Sequence, residues 1–231
     1  MKHCVIPARG GSKRIPHKNI RKFCGKPMIA WSIEGAQASG CFDQIIVSTD
    51  DAEIADVARQ WGAEVPFMRP AELADDFAGT TSVVAHALQW DQDHGQELTA
   101  VCCLYATAPL VDPADIRQGL ELLAHTAPDR FVFTATDYAS PIQRALRLDQ
   151  DSGQAHMYQP ELFSKRSQDL EPAYHDAAQF YWGRPEAWLK NGNLFEGSKP
   201  LLLPMWRVQD IDTEDDWMRA ELLYEAYSRI R

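Results

Sequence analysis

Residues 4–19 read CVIPARGGSKRIPHKN, a short apolar segment followed directly by glycines and cations. The pattern predicts a buried strand over Cys4–Ile6 and a loop from Pro7 to Pro27. Adjacent glycines let backbone N–H groups come close to an anion, and the neighbouring lysines and arginines supply charge around it. The loop therefore predicts a triphosphate site, although it contains neither G-x-x-x-x-G-K-[ST] nor G-x-G-x-x-G.

The rest of the chain alternates strand and helix signals, which predicts a three-layer α/β/α fold with a mostly parallel sheet. The other predicted strands are Gln44–Thr49, Glu64–Met68, Thr99–Tyr105, Phe131–Thr136 and Trp206–Ile211. The predicted helices are Met28–Ser39, Asp51–Gln60, Thr81–Gln92, Pro113–Ala124 and Thr213–Arg229, the last capped by Thr213. We interpret 1–231 as one domain in which the loosely patterned residues 138–180 form an insertion that covers substrate or contacts another subunit.

The net charge of −10 is unevenly distributed, because Met1–Ile33 contains eight Lys or Arg and no Asp or Glu. Such a chain suits one small polyanion better than nucleic acid, which requires many dispersed phosphate contacts. It contains no apolar run of about 18 residues and no signal peptide, so we expect a cytoplasmic protein without membrane contact. Five cysteines without a C-x-x-C pair argue against a disulfide framework or a zinc site.

The first loop resembles the signature A-R-G-G-S-K-G-x-x-x-K-N of the CMP-sugar synthetases, which use CTP to activate nonulosonic acids such as sialic acid. Arg14 departs from that pattern, since the family usually has a glycine there. The resemblance extends over essentially the whole chain. It implies that phosphates and cytidine are held by Ala8, Arg9, Gly10, Gly11, Ser12, Lys13, Lys18 and Asn19.

Two further segments resemble conserved stretches of the same family. Residues 45–54 contain Asp50 and Asp51, either of which can cap the following helix, with a metal role as the alternative. Residues 69–76 resemble the element R-P-x-x-L-A-x-D, which implies that Arg69 and Thr80 contact the nucleotide. The alternative for Arg69 is an ion pair with the acids that follow it.

The resemblance also indicates the sugar. Residues 105–111 replace the Q-P-T-S-P-L-R of sialic acid synthetases with a less polar string. Because a buried polar group without a partner costs about 1–3 kcal/mol, this favours an acid with fewer hydroxyls. The strings R-S-Q-D-L and Y-H-D-A-x-Q-F-Y-W resemble the branch that uses pseudaminic acid, a deoxy sugar. His175 alone is typical of an ordinary half-buried histidine. The resemblance implies substrate contacts from Tyr105, Thr107, Arg166, Gln168 and Gln179.

Asp210 and Asp212 form a carboxylate pair near the C-terminus. If the backbone is extended there, both side chains point to one face and Ile211 to the other. Two carboxylates on one face repel each other unless a cation lies between them, and Mg²⁺ is usually shared between such carboxylates and phosphates. The family's D-x-D at this place is a metal site, which implies that Asp210 and Asp212 bind Mg²⁺. The alternative is helix capping by an acidic cluster.

Together these features predict transfer of CMP from CTP to a nonulosonic acid, first of all pseudaminic acid, for surface glycans or flagellin. Catalysis is assigned to Arg9, Lys13, Lys18 and Asp212, which should meet in one cleft. Family resemblance further implies a homodimer. A CMP-sialic or legionaminic acid synthetase, a metal-dependent glycosyltransferase and a non-catalytic nucleotide-binding protein are the alternatives.

Overall fold

The computed structural model describes residues 1–74, 79–190 and 192–229. A six-stranded, mostly parallel sheet with helices on both faces forms the body of the protein, so the predicted α/β/α class is confirmed. Its strands are β1 (Lys2–Pro7), β2 (Gln44–Ser48), β3 (Ala100–Leu104), β4 (Phe131–Asp137), β5 (Tyr174–Gly183) and β6 (Lys199–Leu202). They lie in the order β6-β4-β5-β3-β1-β2, with β5 antiparallel to both neighbours.

The predicted helices are confirmed to within one residue at each end. They are α1 (Met28–Ser39), α2 (Ala52–Gln60), α3 (Thr80–Asp93), α4 (Pro113–Ala124) and α6 (Glu214–Ser228), with an additional short helix α5 (Pro185–Leu189). Thr213 caps α6 through a capping box that it shares with Asp216. Asp51, rather than Asp50, caps α2 by accepting from the backbone N–H groups of Glu53 and Ile54.

Successive side chains along each strand point alternately into two apolar cores, one on each face of the sheet. Cys4 and Ile6 of β1 face the core formed with α1, α2 and α4, whereas Val5 faces the core formed with α3 and α5. Because both faces are buried, these strands are continuous apolar runs without polar alternation. This packing places the carboxyl ends of the parallel strands β1, β2 and β3 at the same edge of the sheet.

A third apolar cluster joins the two ends of the chain. Trp217 of α6 packs with Ile15 and Phe23 of the first loop, and Ile211 is fully buried in the same cluster. Phe23 and Trp217 meet edge to face, with ring centroids 5.5 Å apart. Burial of these side chains holds the cationic loop against the segment that carries Asp210 and Asp212.

Two predicted strands are wrong. Glu64 makes a single parallel bridge to Ile46, and no strand continues to Met68. The segment Trp206–Ile211 begins within the 3₁₀ turn Met205–Arg207 and forms no ladder. Side chains attach it instead, because Arg207 pairs with Asp115 at 2.6 Å.

Strands β5 and β6 were not predicted. The first seven residues of β5 fall within the proposed insertion 138–180, but they belong to the central sheet. The preceding part is a surface arm, residues 138–173, that contains the hairpin Leu146–Leu148 with Ala155–Met157 and several 3₁₀ turns. Within the part of the chain that the model describes, no helix is both long and apolar enough to span a membrane.

Candidate active site

A cleft of about 520 Å³ opens at the carboxyl ends of β1 and β3. The first loop, the start of α3 and the segment after β3 form its walls, and Asp212 reaches it from the other end of the chain. The expectation that Arg9 and Asp212 share one cleft is confirmed. The sequence-predicted residues that line it are Arg9, Ser12, Lys13, Lys18, Asn19, Arg69, Thr80, Tyr105, Thr107 and Asp212.

The first loop is held to the body of the protein by polar contacts of its backbone. Gly10 N–H donates to Asp50 Oδ1 at 3.0 Å, and Asn19 Nδ2 donates to the Arg9 carbonyl at 3.0 Å. A Cβ on Gly10 would lie 2.5 Å from Asp51 Oδ2, so this glycine is needed for close packing against the α2 cap. Gly11 faces open space, whereas Ala8 is buried beneath the loop.

Asp212 is the member of the carboxylate pair that contacts the cations of the first loop. Lys18 Nζ lies 3.4 Å from Asp212 Oδ1 and also donates to the Ile211 carbonyl at 2.6 Å. Arg14 Nη2 lies 2.9 Å from Asp212 Oδ2. The carboxylate therefore faces two cations of the segment that the sequence marked for phosphate binding.

Asp210 and Asp212 flank the buried Ile211, which points into the core as the extended reading requires. Neither carboxylate caps α6; that role belongs to Thr213 and Asp216. Asp210 is reached by solvent, yet the surrounding protein desolvates its carboxylate, and repulsion from Asp212 adds to this. Both effects raise the pKa of Asp210 above its ordinary value.

The donor set fits a magnesium ion that is shared with a ligand. Among residues 1–74, 79–190 and 192–229, no cluster of three or more His, Cys, Asp or Glu side chains could hold a metal. Mg²⁺ typically takes only one or two carboxylates and completes its shell with substrate phosphates and water. The pair Asp210 and Asp212 meets that requirement beside the cation-lined cleft.

Arg69 is fixed at the end of β2. Its Nε donates to Ser48 Oγ at 3.1 Å, and its Nη2 donates to the Ser48 carbonyl. Burial lowers the pKa of this guanidinium. Two of the nearby acids of the alternative interpretation, Asp75 and Asp76, lie outside the described residues.

A polar chain runs from the cleft into the sheet. Thr80 Oγ1 and the Tyr105 hydroxyl are 2.8 Å apart, and the Tyr105 ring lies 5.3 Å from that of Tyr181. The Tyr181 hydroxyl donates to the Asp176 carboxylate. Burial raises the pKa of Tyr105 to about 12 and that of Tyr181 further, so both phenols stay protonated in the neutral pH range.

Sequence reasoning missed Asp176 and Tyr181 because of backbone geometry. Residues five apart lie on opposite faces of a regular strand. The ladder between β4 and β5 contains a register shift, and Ala178 has a φ of +52°, which together bring the two side chains to one face.

Three residues implied for the sugar do not line this cleft. Arg166 pairs with Asp169 on the surface arm at 2.7 Å, three residues along its own chain. Gln168 lines a separate cavity of about 280 Å³ beside the arm. Gln179 is buried in β5, where its Nε2 donates to the Arg207 carbonyl at 2.8 Å and so attaches the C-terminal segment.

A second cavity of about 460 Å³ adjoins the carboxylate pair. Asp212 belongs to the walls of both cavities, and Asp210 lines only the second. His175 also lines it, with Nδ1 2.8 Å from the Asp176 carbonyl. Because a carbonyl only accepts, Nδ1 is the donor and Nε2 of the neutral ring keeps its lone pair. The other residues that line this cavity are absent from the sequence-based set; they are Thr136, Asp137, Tyr138, Ala139, Met205, Val208, Gln209, Asp216 and Arg219.

Comparison with known proteins shows which family the chain belongs to. A family model described as cytidylyltransferase matches residues 3–185. The chain is 47% identical over 224 residues to pseudaminic acid cytidylyltransferase of Campylobacter jejuni, covering 96% of each chain. It is 36% identical over 229 residues to the CMP-N,N'-diacetyllegionaminic acid synthase of Legionella pneumophila, covering 96% of this chain and 95% of the relative.

A solved structure of CMP:2-keto-3-deoxy-manno-octonic acid synthetase, complexed with CTP, superposes with a TM-score of 0.70 at 16% identity. The alignment covers 98% of this chain and 99% of that structure, and at this identity it supports the fold alone. The family model spans most of the chain, and the curated relatives match it nearly end to end. The chain therefore belongs to the cytidylyltransferase family.

Proposed function

We propose that the protein transfers CMP from CTP to a nonulosonic acid, first of all pseudaminic acid, and releases pyrophosphate. The observation that carries this proposal is the position of Asp212 between the cation-lined cleft and the second cavity. Two reactants placed on either side of one carboxylate are held close enough to react. Such a CTP-consuming reaction suits the cytoplasm, where nucleotides are available.

The cleft holds CTP in this proposal. Arg9, Lys13 and Lys18 contact the triphosphate, and the Arg69 and Thr80 wall contacts cytidine. Asp210 and Asp212 would hold Mg²⁺, which supplies charge neutralisation for the phosphates when bound. The loop cations then stabilise the negative charge that grows on the leaving pyrophosphate.

The second cavity holds the acid sugar. Its anomeric hydroxyl oxygen forms a bond to the α-phosphorus, the bond between the α-phosphorus and the bridging oxygen breaks, pyrophosphate leaves with that oxygen, and the hydroxyl proton passes to solvent water. Thr107 and Tyr105 line the same cleft as Asp212, and in this proposal they limit the space on the cleft side of the reacting atoms. Positioning and electrostatics carry the reaction, without a covalent enzyme intermediate.

Pseudaminic acid is favoured over sialic acid by the apolar segment after β3. Ala106, Ala108 and Val111 are buried, with at most 6% of each exposed. Ala106 lines the cleft, whereas none of the three lines the second cavity, so this segment offers few partners to a sugar hydroxyl that reaches across from that cavity. The relative with 47% identity carries the pseudaminic acid name, and the one with 36% carries the legionaminic acid name.

A homodimer is part of the proposal. The surface arm exposes large apolar side chains, which is typical of a surface that another subunit covers. Phe163 is 75% exposed, Tyr158 65% and Leu148 63%. A second copy could also bring Arg166 or Gln168 to a substrate cavity that they do not line within one chain.

The test incubates the protein with CTP, Mg²⁺ and a panel of pseudaminic, legionaminic, sialic and Kdo acids, and follows pyrophosphate. We expect release with pseudaminic acid. Asp212→Asn should abolish release, whereas Asp215→Asn, an exposed neighbour, should retain it. CTP binding without release in the whole panel would favour the non-catalytic alternative. Consumption of a finished nucleotide sugar in place of CTP would favour the glycosyltransferase.

A further inference from the structure

Asp212 has both carboxylate oxygens occupied by cations of the first loop. Arg14 Nη2 lies 2.9 Å from Oδ2, and Lys18 Nζ lies 3.4 Å from Oδ1. A divalent cation bound to Asp212 needs at least one of these oxygens. Each oxygen keeps a second lone pair, but a cation at this distance repels a divalent ion on the same carboxylate, so metal binding is favoured when one of the two cations moves away.

The two cations differ in how they are held. Lys18 is 18% exposed and has a second anchor, the Ile211 carbonyl at 2.6 Å. Arg14 is 64% exposed, and its one ion pair within the described residues is with Asp212. Exposed ion pairs of this kind are weak, so Arg14 is the cation that can leave.

The side chain of Arg14 has a second possible partner nearby, the triphosphate. Its side chain lines the same cleft as Arg9 and Lys13, where the triphosphate is proposed to lie. A guanidinium binds phosphate through parallel N–H groups, which makes phosphate a better partner than one exposed carboxylate. Arg14 also stands at the loop position where the resembling signature has glycine, so a chain with that glycine would lack this cation.

We propose that Arg14 is an exchangeable cation: it neutralises Asp212 before loading and moves to the triphosphate when CTP and the metal bind. This inference rests on the proposed function of the cleft. It follows that Arg14 opposes binding of metal alone and favours binding of CTP with metal. The residue thereby couples the two ligands.

The experiment measures Mn²⁺ binding by the electron paramagnetic resonance signal of free Mn²⁺, and CTP binding by calorimetry at saturating Mn²⁺ without acid sugar. For Arg14→Ala we expect Mn²⁺ alone to bind about three- to fivefold more tightly, because a competing exposed cation is removed. We expect CTP to bind about tenfold more weakly, because a charge-assisted contact is lost. A loop that was merely damaged would weaken both.

Arg21→Ala is the matched control, because it removes a cation of the same segment that pairs with Glu214 instead. It should leave both constants unchanged. Unchanged or weaker binding of Mn²⁺ alone to Arg14→Ala, or unchanged CTP binding, would overturn the exchange while leaving the proposed function intact. No Mn²⁺ binding to wild type in the presence of CTP would instead remove the proposed metal site, and this inference with it.

Discussion

Gly10→Ala should destabilise the protein, whereas Gly11→Ala should not. The added Cβ at Gly10 would lie 2.5 Å from Asp51 Oδ2 and 2.9 Å from Asp51 Cβ. Asp51 cannot simply turn away, because its Oδ1 accepts from Glu53 N–H at 2.8 Å and from Ile54 N–H at 3.1 Å. Loss of such a helix cap costs about 1 kcal/mol, within a range of about 0.5–2 kcal/mol.

The matched position behaves differently because nothing lies within 4 Å of a Cβ on Gly11. Alanine there restricts the unfolded chain and should be neutral or stabilising by up to about 1 kcal/mol. In a chain of this size 1 kcal/mol corresponds to about 2–4 °C in melting temperature. The melting temperature of Gly10→Ala should therefore lie about 2–4 °C or more below that of Gly11→Ala.

Thermal unfolding in the absence of CTP and metal, followed by circular dichroism, measures this difference. The cost of Gly10→Ala should shrink in an Asp51→Ala background, where the cap is already lost. Equal melting temperatures for the two glycine variants, or an unchanged cost in the Asp51→Ala background, would refute the packing argument.

Three further predictions concern stability. Tyr181→Phe leaves the Asp176 carboxylate without its phenol partner and should cost about 1–3 kcal/mol in denaturant unfolding; an unchanged midpoint would contradict this. Because the pKa of Asp210 is raised in the fold, protonation of its carboxyl stabilises the folded state. This stabilisation is fully present below the unfolded pKa of the group and is lost as pH rises through the folded pKa. In EDTA, Asp210→Asn should therefore gain stability relative to wild type at neutral pH and lose that gain under acid conditions, and parallel pH curves would refute it. Thr213→Ala should lower the melting temperature by about 2–4 °C through loss of the capping box, and an unchanged value would show that the cap contributes nothing.

The sequence was most informative where local rules dominate. Helix α4 begins with proline after the capping Asp112, and α6 begins after the capping Thr213, as their residue types require. The first loop and the D-I-D segment could be paired in advance because both carry chemistry that a triphosphate needs. Their actual contact depends on the apolar cluster around Trp217, which spacing alone does not reveal.

The failures come from long-range structure. From Ala177 onward strand β5 is buried on both faces, so its apolar residues show no alternation, and its bulge at Ala178 has no local sequence signal. The segment around Arg207 resembles a strand but is attached by side chains. Arg166 was assigned by resemblance, yet a local ion pair with Asp169 occupies it in the single chain.

The most direct test of the proposed site is the position of the metal in a crystal of the protein with CTP and Mn²⁺, located by anomalous scattering. The proposed arrangement predicts a peak at bonding distance from Asp210 or Asp212 and from a phosphate oxygen of CTP, with the second cavity open beside it. Bound CTP whose metal lies away from both carboxylates would contradict it.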